Sequence, residues 1–254
     1  RSETATTSPS CAMTSRNWDH YQWKRGMTGA AKGENYHRTD VFGGSLNTVV
    51  NWLLGKTALG ADLRKEVIYS TAYGETLPAD QWKGIHGSDR MYERRGERTN
   101  TSLFLEHNVV LEHFTLSAGL LANHNTWLSG GLRFYPGVDI SWRPNVQWKV
   151  YASWNKALRL PTYTDLYISN RAQVGDMNLN PERVNTYKLG ARYRTTALET
   201  QLNAFYSNGR DMIDWVFETA ASTRYHALNI GKLDNMGASV DLAFMPRELW
   251  AGSP

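Results

Sequence analysis

Polar and apolar residues alternate with a period of two along most of the chain. From Arg183 to Arg194, Tyr187, Leu189, Ala191 and Tyr193 fall on one face, and Thr186, Lys188, Gly190, Arg192 and Arg194 on the other. Strand side chains point to opposite faces in turn, so this segment predicts a strand with one apolar and one polar face. Leu198, Thr200, Leu202, Ala204 and Tyr206 repeat the pattern against Glu199, Gln201, Asn203 and Ser207, after a tight turn at Thr195-Thr196-Ala197. Upstream, Leu132, Phe134, Val138, Ile140 and Trp142 oppose Arg133, Tyr135, Gly137, Asp139 and Ser141. Trp148, Val150, Ala152 and Trp154 oppose Lys149, Tyr151, Ser153 and Asn155. Similar runs surround Leu59–Glu66, Phe114–Leu120 and Ala238–Phe244. The pattern predicts about ten strands and no convincing helix between them.

The connections alternate in length. Short ones are expected near Gly55-Lys56, Val109-Val110, Arg143 to Val146 and Thr195 to Ala197. Long loops are expected at 74–97, 159–182 and 209–223, with a shorter one at 124–130. Short turns on one rim and long loops on the other are the layout of an outer-membrane barrel. Trp52, Trp142 and Trp148 sit beside short turns on the apolar face, where an interfacial aromatic girdle belongs; the core of a soluble sandwich would place Trp mid-strand. The other face carries Asp62, Arg64, Glu66, Glu106, Arg133, Asp139, Lys149, Lys188, Arg192 and Glu199. A small barrel would have to pack these charges inside, whereas a wide one wets or pairs them.

Composition is consistent with that reading. The chain has 254 residues, of which 41% are hydrophobic, and its ten tryptophans are accounted for in part by the girdle. A mean hydropathy of −0.52 would ordinarily indicate a soluble protein, but alternating barrels average out the same way. No apolar run reaches the length of a transmembrane helix. The single cysteine, Cys11, excludes an intramolecular disulfide and a cysteine-based zinc site. A net charge of +4, without any basic run beyond the neighbourhood of Glu93-Arg94-Arg95, gives no nucleic-acid footprint. The chain opens on Arg and closes on WAGSP, and reads as an internal part of a longer protein. Gly43-Gly44, Gly60 and Gly130-Gly131 read as bulges or close-packing points rather than phosphate loops.

Four segments in order resemble the late barrel of TonB-dependent outer-membrane receptors. In YASWNKALRLPTYTDLY (151–167) the matching residues are Arg159, Pro161, Leu166 and Tyr167. In NLNPERVNTYKLGARY (178–193) they are Asn178, Leu179, Pro181, Glu182, Leu189 and Gly190. NAFYSNGRDMIDW (203–215) resembles the family's Phe-Tyr strand end with a following Asp-x-Ile. LNIGKLDNMGASVDLAF (228–244) matches at Asn229, Gly231, Gly237 and Asp241, with Asp where Glu is commoner. A fainter similarity over 37–66 points to receptors for cobalamin and related chelates. Residues 1–254 are accordingly expected to form part of an all-β transmembrane antiparallel barrel of about 22 strands, clearest over 151–244 and poorly defined over 1–14, with the plug domain and the TonB box absent from this chain. Such a slice has two unpaired edges and is not expected to fold alone into a functional unit; a monomeric, heat-modifiable barrel from 1–254 alone would count against this.

The resemblance implies an outer-membrane receptor that imports a scarce metal chelate with energy from the TonB complex. Cobalamin is the first expectation, with a ferric siderophore or haem as the alternative. Other classes are a passive porin-like channel, told apart by lacking a plug, and a soluble all-β module such as a carbohydrate binder. The implied partners are the TonB complex, the chelate and outer-membrane lipid, with a capping surface lipoprotein left open; no cofactor and no nucleic acid are implied. Ligand contacts are expected from the loops: Trp82, His86, Tyr92 and Arg95 in 74–97; Tyr163, Asp165, Tyr167 and Arg171 in 159–182; Arg210, Asp211 and Trp215 in 209–223. For each of them taken singly, an ordinary solvated loop residue is the plainer reading. Arg159 and Pro161 read as structural, Pro161 because it cannot donate to a ladder and so marks a strand end, and Glu182 as a residue that positions the loop base. The seven histidines show no metal spacing, although His107 and His113 flank one short turn, and no Ser/His spacing selects an enzyme.

Overall fold

The computed structural model describes residues 4–9, 13–23, 33–128 and 131–244; Cys11 and Gly130 lie outside them. The strands are β1 (Thr4–Pro9), β2 (Met13–Trp23), β3 (Gly33–Trp52), β4 (Gly55–Ser70), β5 (Glu75–Thr76), β6 (Lys83–Gly84), β7 (Met91–Tyr92), β8 (Arg94–Val110), β9 (Phe114–Asn125), β10 (Arg133–Trp142), β11 (Trp148–Arg159), β12 (Gln173–Val174), β13 (Glu182–Arg194), β14 (Leu198–Val216) and β15 (Tyr225–Phe244). One helical turn, α1 (Tyr163–Tyr167), interrupts the long loop before β13. The long strands form one antiparallel meander in the order β1-β3-β4-β8-β9-β10-β11-β13-β14-β15, with β2 pairing the upper half of β3 beyond β1. That is ten strand positions across. Among the described residues the sheet does not close on itself.

From β3 to β14 an unbroken register fixes which side chains share a face. Leu59, Leu105 and Leu120 form one cross-strand row, and Ala61, Leu103, Ala122 and Phe134 another. These rows point away from the concave side, and their leucines and Phe134 stay exposed, as do Leu189 (60%) and Val240 (69%). A soluble sandwich would bury them. The apolar core is instead a small cluster of Leu166, Leu179 and Ala227, with Trp127, Tyr167, Ile213 and Trp215 packed on it. Apolar residues outside and charges inside define the wall of a membrane barrel, in which every backbone group must be paired along the span. Among the described residues no helix is long and apolar enough to cross a membrane.

The short turns lie at one rim, after β3, β8, β10 and β13. Trp52, Trp142 and Trp148 point outward beside them. The Phe114 and Trp142 rings lie 6.3 Å apart and the Trp148 and Tyr193 rings 4.8 Å apart, completing the girdle. On the luminal face, Phe104, Tyr151 and Phe205 each lie over a glycine on the next strand: Gly60, Gly190 and Gly237 respectively. A Cβ at Gly190 would stand 2.2 Å from Tyr151 Cζ, so only glycine accepts the ring there.

Three expectations are corrected. The 209–223 segment is mostly strand: β14 continues to Val216 and only 217–224 connects it to β15. The alternation fails at Asn208-Gly209-Arg210-Asp211 because the register with β15 shifts on either side of Met212, with Asp211 at φ 56°. A bulge, not a loop, breaks the pattern. Arg210, Asp211 and Trp215 are therefore strand residues. Arg95 likewise belongs to β8 rather than to the loop before it. Finally, the 159–182 loop contains α1, too short to produce a helical period.

Candidate functional site

The long-loop rim is built mainly by the segment between β11 and β13, which folds inward over the luminal wall. Its base is a clamp. Arg159 Nε and Nη2 donate to Glu182 Oε2 and Oε1 (2.7 and 2.5 Å), and Glu182 Oε1 also accepts from the Ile213 backbone N–H (3.0 Å). The α1 turn is fixed by a reciprocal cap. Asp165 N donates to Thr162 Oγ1 (3.1 Å) and Thr162 N to Asp165 Oδ2 (2.9 Å). Asn229 holds the loop's return: it accepts from Asn180 N and donates to the carbonyls of Asn180 and Asp211. Pro181 and Leu179 are buried at this base, and Asn178 is exposed above it. Gly231 faces Met212, where a Cβ would come within 2.6 Å of the Met212 Cβ.

This scaffold presents an aromatic–guanidinium cluster on the inner face. The Trp127 ring meets Tyr163 edge-on at 4.9 Å and Tyr167 at 5.7 Å. The Arg98 guanidinium lies 5.2 Å from the Trp127 ring centre and 5.1 Å from that of Tyr163. Arg98 is held by Glu66 Oε2 (2.6 Å) and by the Pro161 carbonyl (2.9 Å). Burial pushes the Tyr163 and Tyr167 phenols above their ordinary range, so both are protonated donors at neutral pH. A crevice of about 50 Å3 between Arg98, Trp127, Leu166, Met177 and Leu179 has room for little more than a water. A bulky ligand would rest on the cluster rather than enter it. A larger hollow of about 550 Å3 opens at the opposite rim, among His113, Arg143, Trp148 and Arg192.

Of the residues singled out from sequence, Tyr163, Tyr167 and Trp215 converge here, while Asp165 is buried in its cap. Arg171 is exposed at the loop tip. Asp211 pairs with Arg183, and Arg210 lies 3.7 Å from Asp234. Trp82 donates to the Leu77 carbonyl, His86 is exposed, Tyr92 is buried, and Arg95 pairs with Glu97. Trp127 and Arg98 escaped the sequence reading. Trp127 was legible only as one more tryptophan, in the shorter 124–130 loop, and Arg98 as one more strand arginine. His107 bonds Thr57 and His113 bonds the Arg143 carbonyl, so the two do not meet.

His37, also on the inner face, bonds Ser70 Oγ (2.7 Å) and stacks on Tyr73 at 4.5 Å. Burial lowers its pKa, against an opposing pull from Asp19. The unfolded chain therefore takes up the proton first as pH falls below about 6.5, and stability at this corner is lost on acidification. Amide exchange at Ala72 and Tyr73, which both donate to Ser70 Oγ, is expected to quicken from pH 6.5 to 5 beyond the intrinsic trend. His37→Gln should remove that excess; an unchanged excess would contradict the assignment.

The fold and rim define an outer-membrane barrel receptor. Residues 5–252 match the family of TonB dependent receptor-like β-barrels, and the chain belongs to it. The family is one of bacterial outer-membrane transport receptors, not enzymes, which sets aside the porin-like and soluble readings. Similar solved structures include a ferric enterobactin receptor from Pseudomonas aeruginosa (TM-score 0.68, 17% identity, covering 90% of this chain and 37% of that one). Others are a siderophore receptor from Acinetobacter baumannii (0.65, 15%, 91% and 39%) and an iron transporter from Neisseria meningitidis (0.60, 18%, 84% and 34%). The chain spans between about a third and two fifths of the length of these structures. No curated protein matches the sequence.

Proposed function

We propose that the receptor carrying this chain imports a ferric siderophore across the outer membrane with TonB-supplied energy. The observation that carries the reading is the Arg98–Trp127–Tyr163–Tyr167 cluster on the inner face of the long-loop rim. An anionic chelate with flat aromatic or conjugated edges gains stacking from the rings and charge attraction from the guanidinium. The names of the similar structures lend support. The cobalamin expectation rested on residues 37–66, which form most of the β3–β4 hairpin, and the names of the similar structures speak of siderophores and iron rather than cobalamin. Ferric siderophore uptake replaces it.

The test is tryptophan quenching of the receptor carrying this chain, in detergent, titrated with a ferric catecholate siderophore and separately with cyanocobalamin. Saturable quenching by the siderophore alone is expected. Trp127→Ala should weaken binding by about thirtyfold, roughly the 2 kcal/mol of a central aromatic anchor. Saturation by cobalamin without response to the siderophore would reverse the conclusion.

A further inference from the structure

The inner wall does not carry its charge evenly. On β4 and β8 the inward positions include the carboxylates Asp62, Glu66 and Glu106. On β11, β13 and β14 the inward positions below the Arg159–Glu182 clamp hold no carboxylate until Glu199, beside the last turn. The one charge in the middle of this strip is Lys188, opposite Ser153. Asp139 on β10 and Asp241 on β15 border the strip, opposite Ser153 and Gln201. The strip begins at the base of the loop that presents Tyr163 and Tyr167. Lys149, at its lower end, lies ten positions along β11 from Arg159. With strands rising about 3.3 Å per residue and tilted about 40°, that is a descent of roughly 25 Å.

The strip ends in the hollow of about 550 Å3 at the short-turn rim. By the alternation of their strands, Arg143, Lys149, Arg192 and Arg194 all point inward there, opposite in sense to Trp142, Trp148 and Tyr193. Arg192 and Arg194 share one carboxylate, Glu199, at 2.9 and 3.5 Å. Glu112 lies 3.9 Å from His113 at the edge of the hollow. Arg143 and Lys149 have no carboxylate partner among the described residues, and Lys149 Nζ sits 5.5 Å from the Tyr151 ring centre. The crevice of about 50 Å3 beside Trp127 admits a water, whereas this hollow has the size of a small-molecule site.

We propose, resting on the siderophore reading, that the hollow is an exit-side subsite for the negatively charged chelate, and that the strip above it is the side of the bore along which the chelate descends. A carboxylate on that route would repel the anion, and repulsion is poorly screened between low-dielectric walls. The cations at the lower end draw the chelate on. Glu199, by neutralising part of that charge, keeps the hold weak enough for release.

The experiment measures uptake of radiolabelled iron, supplied as a ferric catecholate siderophore, by cells whose one receptor for it carries this chain. Quenching titration of the same receptors in detergent runs beside it. Arg143→Gln/Lys149→Gln is expected to lower the maximal uptake rate about tenfold, while the half-saturating concentration and the affinity by quenching stay within about twofold. Arg143→Lys/Lys149→Arg, which keeps both charges, should restore the rate. Asn155→Asp places a carboxylate in the strip with almost no change of shape and should slow uptake; Asn47→Asp, on the inner wall of β3, should not. An unchanged maximal rate in the glutamine pair, an equal loss in the charge-preserving pair, or equal rates for the two aspartate variants would each overturn the proposal while the unsubstituted receptor still binds and imports the chelate. Absence of quenching by the chelate in the unsubstituted receptor would instead overturn the siderophore reading, and this inference with it. Should the glutamine pair fail to give heat-modifiable barrel, the two aspartate variants decide.

Discussion

Replacing Glu182 by alanine should open the segment between β11 and β13. Glu182 is 5% exposed, and its two oxygens engage the Arg159 fork and the Ile213 amide. Removal of one partner of a fully buried ion pair costs about 3–5 kcal/mol. The Arg159 side chain is 48% exposed and can turn to water, so the charge is not stranded. The Ile213 N–H has less recourse, and losing its acceptor adds about 1–3 kcal/mol. A net loss of about 2 kcal/mol is expected, which is roughly thirtyfold in local opening. Amide exchange across 160–181 should rise by that factor, and Trp127, packed against the same small core, should shift its emission to the red. Glu182→Gln keeps the acceptor for Ile213 and should fall between. Unchanged protection in Glu182→Ala would mean that the cap and the apolar cluster hold the segment without the clamp.

Gly55→Ala is expected to be more damaging still, and at the opposite rim. Gly55 closes the β3–β4 turn with φ at +134°, and a Cβ there would stand 2.1 Å from the Asn108 carbonyl oxygen. The obstacle is backbone on the neighbouring strand, so no rotamer relieves it. Strain of about 1–3 kcal/mol for the dihedral adds to the displacement of β8, and the sum should exceed about 3 kcal/mol. Heat-modifiable barrel should largely disappear from outer-membrane fractions. Gly44→Ala, in the same hairpin with open space around the added carbon, should stay within about 0.5 kcal/mol of the parent. Normal assembly of Gly55→Ala would show that the turn can adopt another form.

Both substitutions act where sequence reading is uneven. The strands were legible because a lipid-facing wall enforces alternation on every residue of the span, and a one-position slip would turn charges into the bilayer. The short turns were legible for the same reason, since they interrupt the pattern briefly. The β14 bulge was not, because Asn208-Gly209-Arg210-Asp211 has the composition of a turn, and only the partner strand reveals that pairing resumes at Met212. The aromatic cluster was legible in part. Tyr163 and Tyr167 stand in a motif-bearing loop, but their meeting with Trp127 and Arg98 joins three segments far apart in sequence. The outward fold of the β4–β8 loop was hidden likewise: it depends on contacts such as Arg90 with Glu34, 56 positions apart.

The three rings laid over glycines bear on how anything would travel along the inner wall. A tyrosine or phenylalanine standing upright reaches roughly 6 Å from its backbone, about the thickness of a ring-sized obstacle, whereas one lying flat adds little more than the depth of a single carbon layer. Phe104, Tyr151 and Phe205 thus supply bulk without roughness, and Tyr151 is tethered in that posture by its hydroxyl on Asn203. Each underlying glycine sets the clearance of the passage beside it. A single methyl added at Gly60, Gly190 or Gly237 would tip a ring into the bore, turning the smallest change a side chain can undergo into a spur on the wall.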